Sequence, residues 1–165
     1  MILSRASVFP AAPTQRIMPY KMAQPIPAMR LVSTRVNERM SALPLTGEPR
    51  HDFQLAVAEL LPLDDVRLAE AEIWLAFAGK SLSDPDIRRI SQQVHSELYE
   101  GFRRMIDWLA ARGDVREGLD LRAEARRLHA FVDGLALHIV TAADKPDPDD
   151  ARKLVSFHLD SLFAR

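Results

Sequence analysis

The chain has 165 residues and 47% hydrophobic content, enough for one domain with a core of its own and short of what two would need. Its 22 basic and 23 acidic residues leave a formal net charge of -1, so it carries no overall electrostatic footprint for nucleic acid or an anionic membrane. The lack of cysteine excludes disulfides, thiolate metal sites and cysteine nucleophiles. No apolar run approaches the about 18–20 residues that span a bilayer, and MILSRASVFPAAP has too short an apolar core for a secretion signal. The chain therefore reads as cytoplasmic, with no membrane partner.

Residues 1–28 stand apart from the rest. Five of the eleven prolines (Pro10, Pro13, Pro19, Pro25, Pro27) fall there, and no acidic residue precedes Glu38. Proline at that density predicts an irregular arm. From Met29 onward the spacing turns helical, and residues 29–165 read as one helical domain.

Met29, Val32, Val36, Met40 and Leu43 recur at threes and fours and predict a first helix stopped by Pro44. A second, at about 50–61, sets Phe53, Ala56, Val57, Leu60 and Leu61 on one side. Asp64 is the expected N-cap of a third, about 65–80, with Val66, Ala69, Ile73, Trp74 and Phe77 inward. In the fourth, Ser83 caps, Pro85 occupies the first turn, and a stripe from Ile87 through Ile90, Val94, Leu98, Phe102, Met105, Ile106 and Leu109 runs toward a stop at Gly113. A fifth opens at Asp120 and runs to about Ala143; a sixth opens at Asp147 with Pro148 in its first turn. No segment alternates with period two, so the expected fold is all-α, six helices with short connections.

The fifth helix poses a question at Asp133 and Gly134, because a mid-helix glycine costs about 1 kcal/mol relative to alanine. At 100° per residue Leu128, Val132, Leu135 and Ile139 form an ordinary core stripe, flanked by Phe131, Gly134, His138 and Thr141, with Ala130 and Leu137 opposite. A helix apolar almost all round must be covered almost all round. The sixth repeats the pattern, with Ala151, Val155, Leu159 and Leu162 inward and Phe157 on the other side. Two neighbouring helices with second apolar faces predict a homodimer interface of Phe131, Gly134, Leu137, His138 and Phe157, with Gly134 admitting a partner helix. The competing reading is that Gly134 packs against a helix of its own chain.

Chemistry is sparse. Gly79–Ser81 (GKS) resembles the end of a phosphate-binding loop, but Trp74 stands where that loop needs glycine, and the tripeptide closes a helix rather than opening one. His129 and Asp133 lie one turn apart and could share an ion, yet no third ligand stands at a recognisable spacing; a hydrogen-bonded or solvent-facing pair is the plainer reading, and no metal or cofactor is expected. No zincin motif, nucleophile elbow or dinucleotide fingerprint is present, so no catalytic residue is assigned. The paired arginines at 88–89, 103–104 and 126–127 are interleaved with acids and read as a solvated mixed-charge face. Trp74, Phe77, Tyr99, Phe102, Met105, Trp108 and Phe131 are ordinary core residues by type and spacing. They are also what lines a cavity for an apolar or aromatic ligand, with Tyr99 and His129 as polar anchors, giving a candidate pocket of Trp74, Phe77, Tyr99, Phe102, Met105 and His129.

AELLPLDDVRLAEAEIWLAFAGKSLSDPDI (58–87) and LRAEARRLHAFVDGLALHIV (121–140), the latter followed by DPDDARKLVSFHLDSL, resemble the regulatory domain of TetR-type transcriptional regulators, specifically the BetI-like C-terminal subgroup, over roughly residues 28–165. The resemblance implies a dimer built on the last two long helices and central helices that enclose a small-molecule effector pocket. It also implies a helix-turn-helix head that releases operator DNA when effector binds. Such a head needs about three helices ahead of Met29, where residues 1–28 offer a proline-rich arm, so the expectation is a truncated regulator that reaches DNA only through an intact partner. Two other readings stay open: a small helical metal protein or enzyme using His129, Asp133 and His138, and a helical dimer with no ligand.

Overall fold

The computed structural model describes residues 25–163, and among them it contains six α-helices and no strand. They are α1 (Pro25–Ser41), α2 (Pro49–Glu59), α3 (Asp65–Lys80), α4 (Pro85–Ala111), α5 (Leu121–Thr141) and α6 (Pro148–Asp160). The all-α, six-helix expectation holds. The proline-rich arm expected over 1–28 lies outside the described residues except for its last four, which belong to α1. Pro25 and Pro27 sit in the first turn, where backbone N–H groups have no acceptor within the helix, so their rings cost the helix no hydrogen bond.

Side-chain caps fix most of the other helix starts. Asp64, Asp120 and Asp147 accept backbone N–H bonds at the heads of α3, α5 and α6, as the sequence predicts. At α4 the cap is Asp84 rather than Ser83: its carboxylate accepts from the N–H groups of Asp86 (3.0 Å) and Ile87 (3.2 Å), while the Ser83 hydroxyl donates back to the Lys80 carbonyl. α4 ends as expected, with Gly113 at φ +79° and the Asp114 N–H reaching the Leu109 carbonyl at 3.0 Å, a closure that favours glycine.

Two apolar clusters organise the packing. The larger joins α2, the C-terminal half of α4, α5 and α6, with Val57, Ile106, Leu109, Leu128, Val155 and Leu159 almost wholly enclosed. The smaller gathers Met29 and Val32 of α1, Phe77 of α3 and Ile87 of α4. α4 crosses both, and its 27 residues make a rod about 40 Å long. On α3 the inward face differs from the expected one: Val66 and Ala69 are exposed, and Glu70 is buried beside Ile73, Trp74 and Phe77. Glu70 can occupy that position because Arg39 of α1 meets it with two bonds, which satisfies the buried carboxylate. The loop after α4 closes over the end of α6, where the Arg116 side chain donates to the carbonyls of Asp160 (2.9 Å) and Phe163 (3.2 Å).

Candidate functional site

A cavity of about 310 Å³ opens where the two clusters fail to meet, between α1, α3, α4 and α5. Its apolar wall comes from Met29, Val32, Val36 and Met40 of α1, Trp74 of α3 and Leu98 of α4. Gly101 of α4 also lines it, and a Cβ built at Gly101 meets nothing within 4 Å. The polar wall is a network that ties three helices together. Arg39 donates to both oxygens of Glu70 (3.1 and 2.7 Å) and to Glu59 (3.0 Å), and Arg67 donates to Glu59 (3.1 Å) and Asp64 (2.9 Å). Hydrogen bonding to Glu70 raises the Arg39 pKa further above its ordinary value, so this guanidinium is permanently charged.

Beside the cavity, α4 and α5 bring three titratable side chains together. His95 Nδ1 lies 3.5 Å from His129 Nε2 and 3.8 Å from Asp133 Oδ2, and the last two are 3.4 Å apart. Burial lowers the His129 pKa, opposed by the Asp133 charge and reinforced by His95. Burial likewise raises that of Asp133, against the pull of both imidazoles. The rings are oriented by packing: Trp74 meets His95 edge-on at 5.8 Å and Phe102 lies 6.0 Å from His129. His95, the third member, is 34 residues from His129 in sequence and on another helix, so no fixed spacing points to it.

Of the residues expected to form the pocket, Trp74, His129 and Phe102 are joined by a chain of ring contacts that passes through His95. Trp74 lines the cavity. Phe77 belongs to the smaller cluster and Phe102 to the larger, against which Tyr99 and Met105 also pack. The Tyr99 hydroxyl is buried without a hydrogen-bond partner, and His129 joins His95 and Asp133. The cavity is displaced from the aromatic residues toward α1, whose aliphatic stripe reads in sequence as plain core.

Among the residues expected at a dimer interface, Leu137 is 42% and Phe157 78% exposed, joined by Leu154 at 42%. His138 is exposed too. Phe131 is half-buried and stacks on His158 of α6 with ring centres 4.5 Å apart, while Arg127 donates to the Ser161 hydroxyl at 2.6 Å. A Cβ at Gly134 would meet nothing within 4 Å, so no helix among the described residues packs against that position.

The family described as BetI-type transcriptional repressor, C-terminal, matches residues 49–164, and the chain belongs to it. The chain is 27% identical over 136 residues to the HTH-type transcriptional regulator PksA of Bacillus subtilis, covering 82% of this chain and 65% of that one. It is 30% identical over 138 residues to the HTH-type transcriptional regulator BetI of Pseudomonas aeruginosa, covering 81% and 64%. It thus spans a little under two thirds of the length of these relatives. Its fold is similar to that of a transcriptional regulator from Saccharomonospora viridis solved in complex with choline, with a TM-score of 0.73, 20% identity, and coverage of 85% of this chain and 71% of that one. Among the described residues no helix is long and apolar enough to cross a membrane.

Proposed function

We propose that this chain is the sensing and pairing part of a TetR-type transcriptional regulator, binding a small effector in the cavity and forming a homodimer through α5 and α6. The observation that carries the reading is the placement of the cavity: one wall is α1, held to the smaller cluster, and the other is α4 and α5 of the larger. An occupant would favour one position of α1 over another, and a ligand shifts such an equilibrium by its difference in affinity for the two states. A helix-turn-helix coupled to α1 would turn that shift into operator binding or release.

The lining favours a small, largely apolar effector, since 310 Å³ lies at the low end for ligand sites and Trp74 is the one aromatic among the lining residues. Choline, the ligand of the Saccharomonospora protein, is a cation that aromatic faces and carboxylates recognise; Glu59 and Glu70 are already paired with arginines, and Trp74, Glu97 and Asp133 are the lining groups left to meet it. A thermal-shift and calorimetric screen of small apolar and aromatic compounds, with choline as one arm, tests the cavity. A ligand present at 100 times its Kd adds about 2.7 kcal/mol of stability. Val36→Phe, which fills the cavity, should abolish that gain, and a hit unaffected by it would place the ligand elsewhere.

The second part rests on the apolar surface of Leu137, Leu154 and Phe157 together with the open space at Gly134. Light scattering should return twice the chain mass, and Leu137→Ser with Phe157→Ser should return one. A monomeric wild type at micromolar concentration defeats the pairing.

A further inference from the structure

The cluster of His95, His129 and Asp133 touches the cavity through Asp133 alone and has no part in the dimer. Three lone-pair atoms converge there at separations of 3.4, 3.5 and 3.8 Å, longer than well-made N–H···O bonds of about 2.7–3.2 Å. One ligand atom from each of the three residues lies within 4.8 Å of the other two. A four-coordinate ion with bonds of about 2.0–2.1 Å keeps its ligand atoms about 3.3–3.4 Å apart, whereas adjacent ligands of a six-coordinate ion at the same bond length stand about 2.8–3.0 Å apart. Two sides of the triangle match the tetrahedral edge to within about 0.2 Å and the third, 3.8 Å, is within about 0.5 Å.

The scaffold is suited to such a site. His129 and Asp133 lie one turn apart on α5 beside the buried Leu128 and Val132, and His95 comes from α4, the helix packed along α5. Two imidazoles and one carboxylate, with no thiolate, select a zinc-class ion over magnesium or calcium, which prefer all-oxygen shells. We propose that His95, His129 and Asp133 bind one zinc-class divalent ion at the cavity wall, which Asp133 lines, leaving a fourth position for water or a cavity ligand. The ion bolts α4 to α5.

The proposal is independent of the effector and dimer readings, and its test contains neither effector nor DNA. The full chain, stripped with a chelator, is titrated with Co²⁺ and watched in the visible, then with Zn²⁺ in a calorimeter. One ion per chain is expected, with the intense absorption of four-coordinate cobalt displaced by zinc. His95→Gln and Asp133→Asn should each weaken zinc at least about tenfold while retaining helical circular dichroism. His51→Gln, on the exposed face of α2, should leave the affinity unchanged. No binding, the pale spectrum of six-coordinate cobalt, or zinc affinity indifferent to His95→Gln and Asp133→Asn would overturn the site. The wild-type cobalt spectrum decides the matter even if a variant misfolds.

Discussion

The two halves of α4 live in different surroundings. Its C-terminal half packs Phe102, Ile106 and Leu109 into a cluster of nineteen buried side chains shared with α2, α5 and α6, whereas its N-terminal half meets α1 and α3 around four. The large cluster is tied at its rim by Arg50, Arg116 and Arg127 to α6 and its end; the small one, across the cavity, is completed by ion pairs among Arg39, Glu59, Arg67 and Glu70. One rod thus carries two clusters of very different size, with the cavity between them.

The largest effect that separates them is a cavity mutation. Ile106→Ala, in the large cluster, should cost about 2–5 kcal/mol in urea unfolding, with all probes moving together. Hydrogen exchange on the wild type should show α1 opening well before α5, and equal protection would erase the distinction. Next comes Glu70→Gln, which strips Arg39 of its bidentate carboxylate; a loss of about 1–3 kcal/mol is expected, sensed first by α1 amides. If α5 loosened first instead, the network would not be what holds α1.

Gly134→Ala carries a smaller effect with a decisive sign. Space is open at that Cβ, so in an isolated chain the substitution should stabilise α5 by up to about 1 kcal/mol. A partner helix seated on Gly134 would instead make it weaken the dimer, read as a rise in the dissociation constant. The smallest effect is at His158, whose pKa is lowered by burial and by the Arg127 charge, against Glu124. Its neutral form is favoured by folding, so its contribution is intact above the unfolded value near 6.5 and declines as pH falls below it. His158→Gln should flatten that part of the wild-type stability profile between pH 7 and 5.

Much of this was legible in the sequence. The caps Asp64, Asp120 and Asp147 and the stop at Gly113 are short-range chemistry, and the stripe of Leu128, Val132, Leu135 and Ile139 is pure periodicity, so both carry over directly. The inward face of α3 differs from the apolar pattern because an apolar count cannot foresee a buried Glu70, whose partner lies 31 residues away. The cavity escaped for a related reason: α1's stripe looks identical whether it meets side chains or empty space. His95 joins His129 and Asp133 only through the packing of α4 on α5, a relation that no spacing along the chain records.

Gly101 has a consequence of its own. With no methyl there and none of its neighbours within reach of one, the size of the chamber is set partly by a missing side chain. Alanine, then valine, then leucine at this position would narrow the chamber by steps without touching the larger cluster, and the first step would also strengthen the helix that carries it.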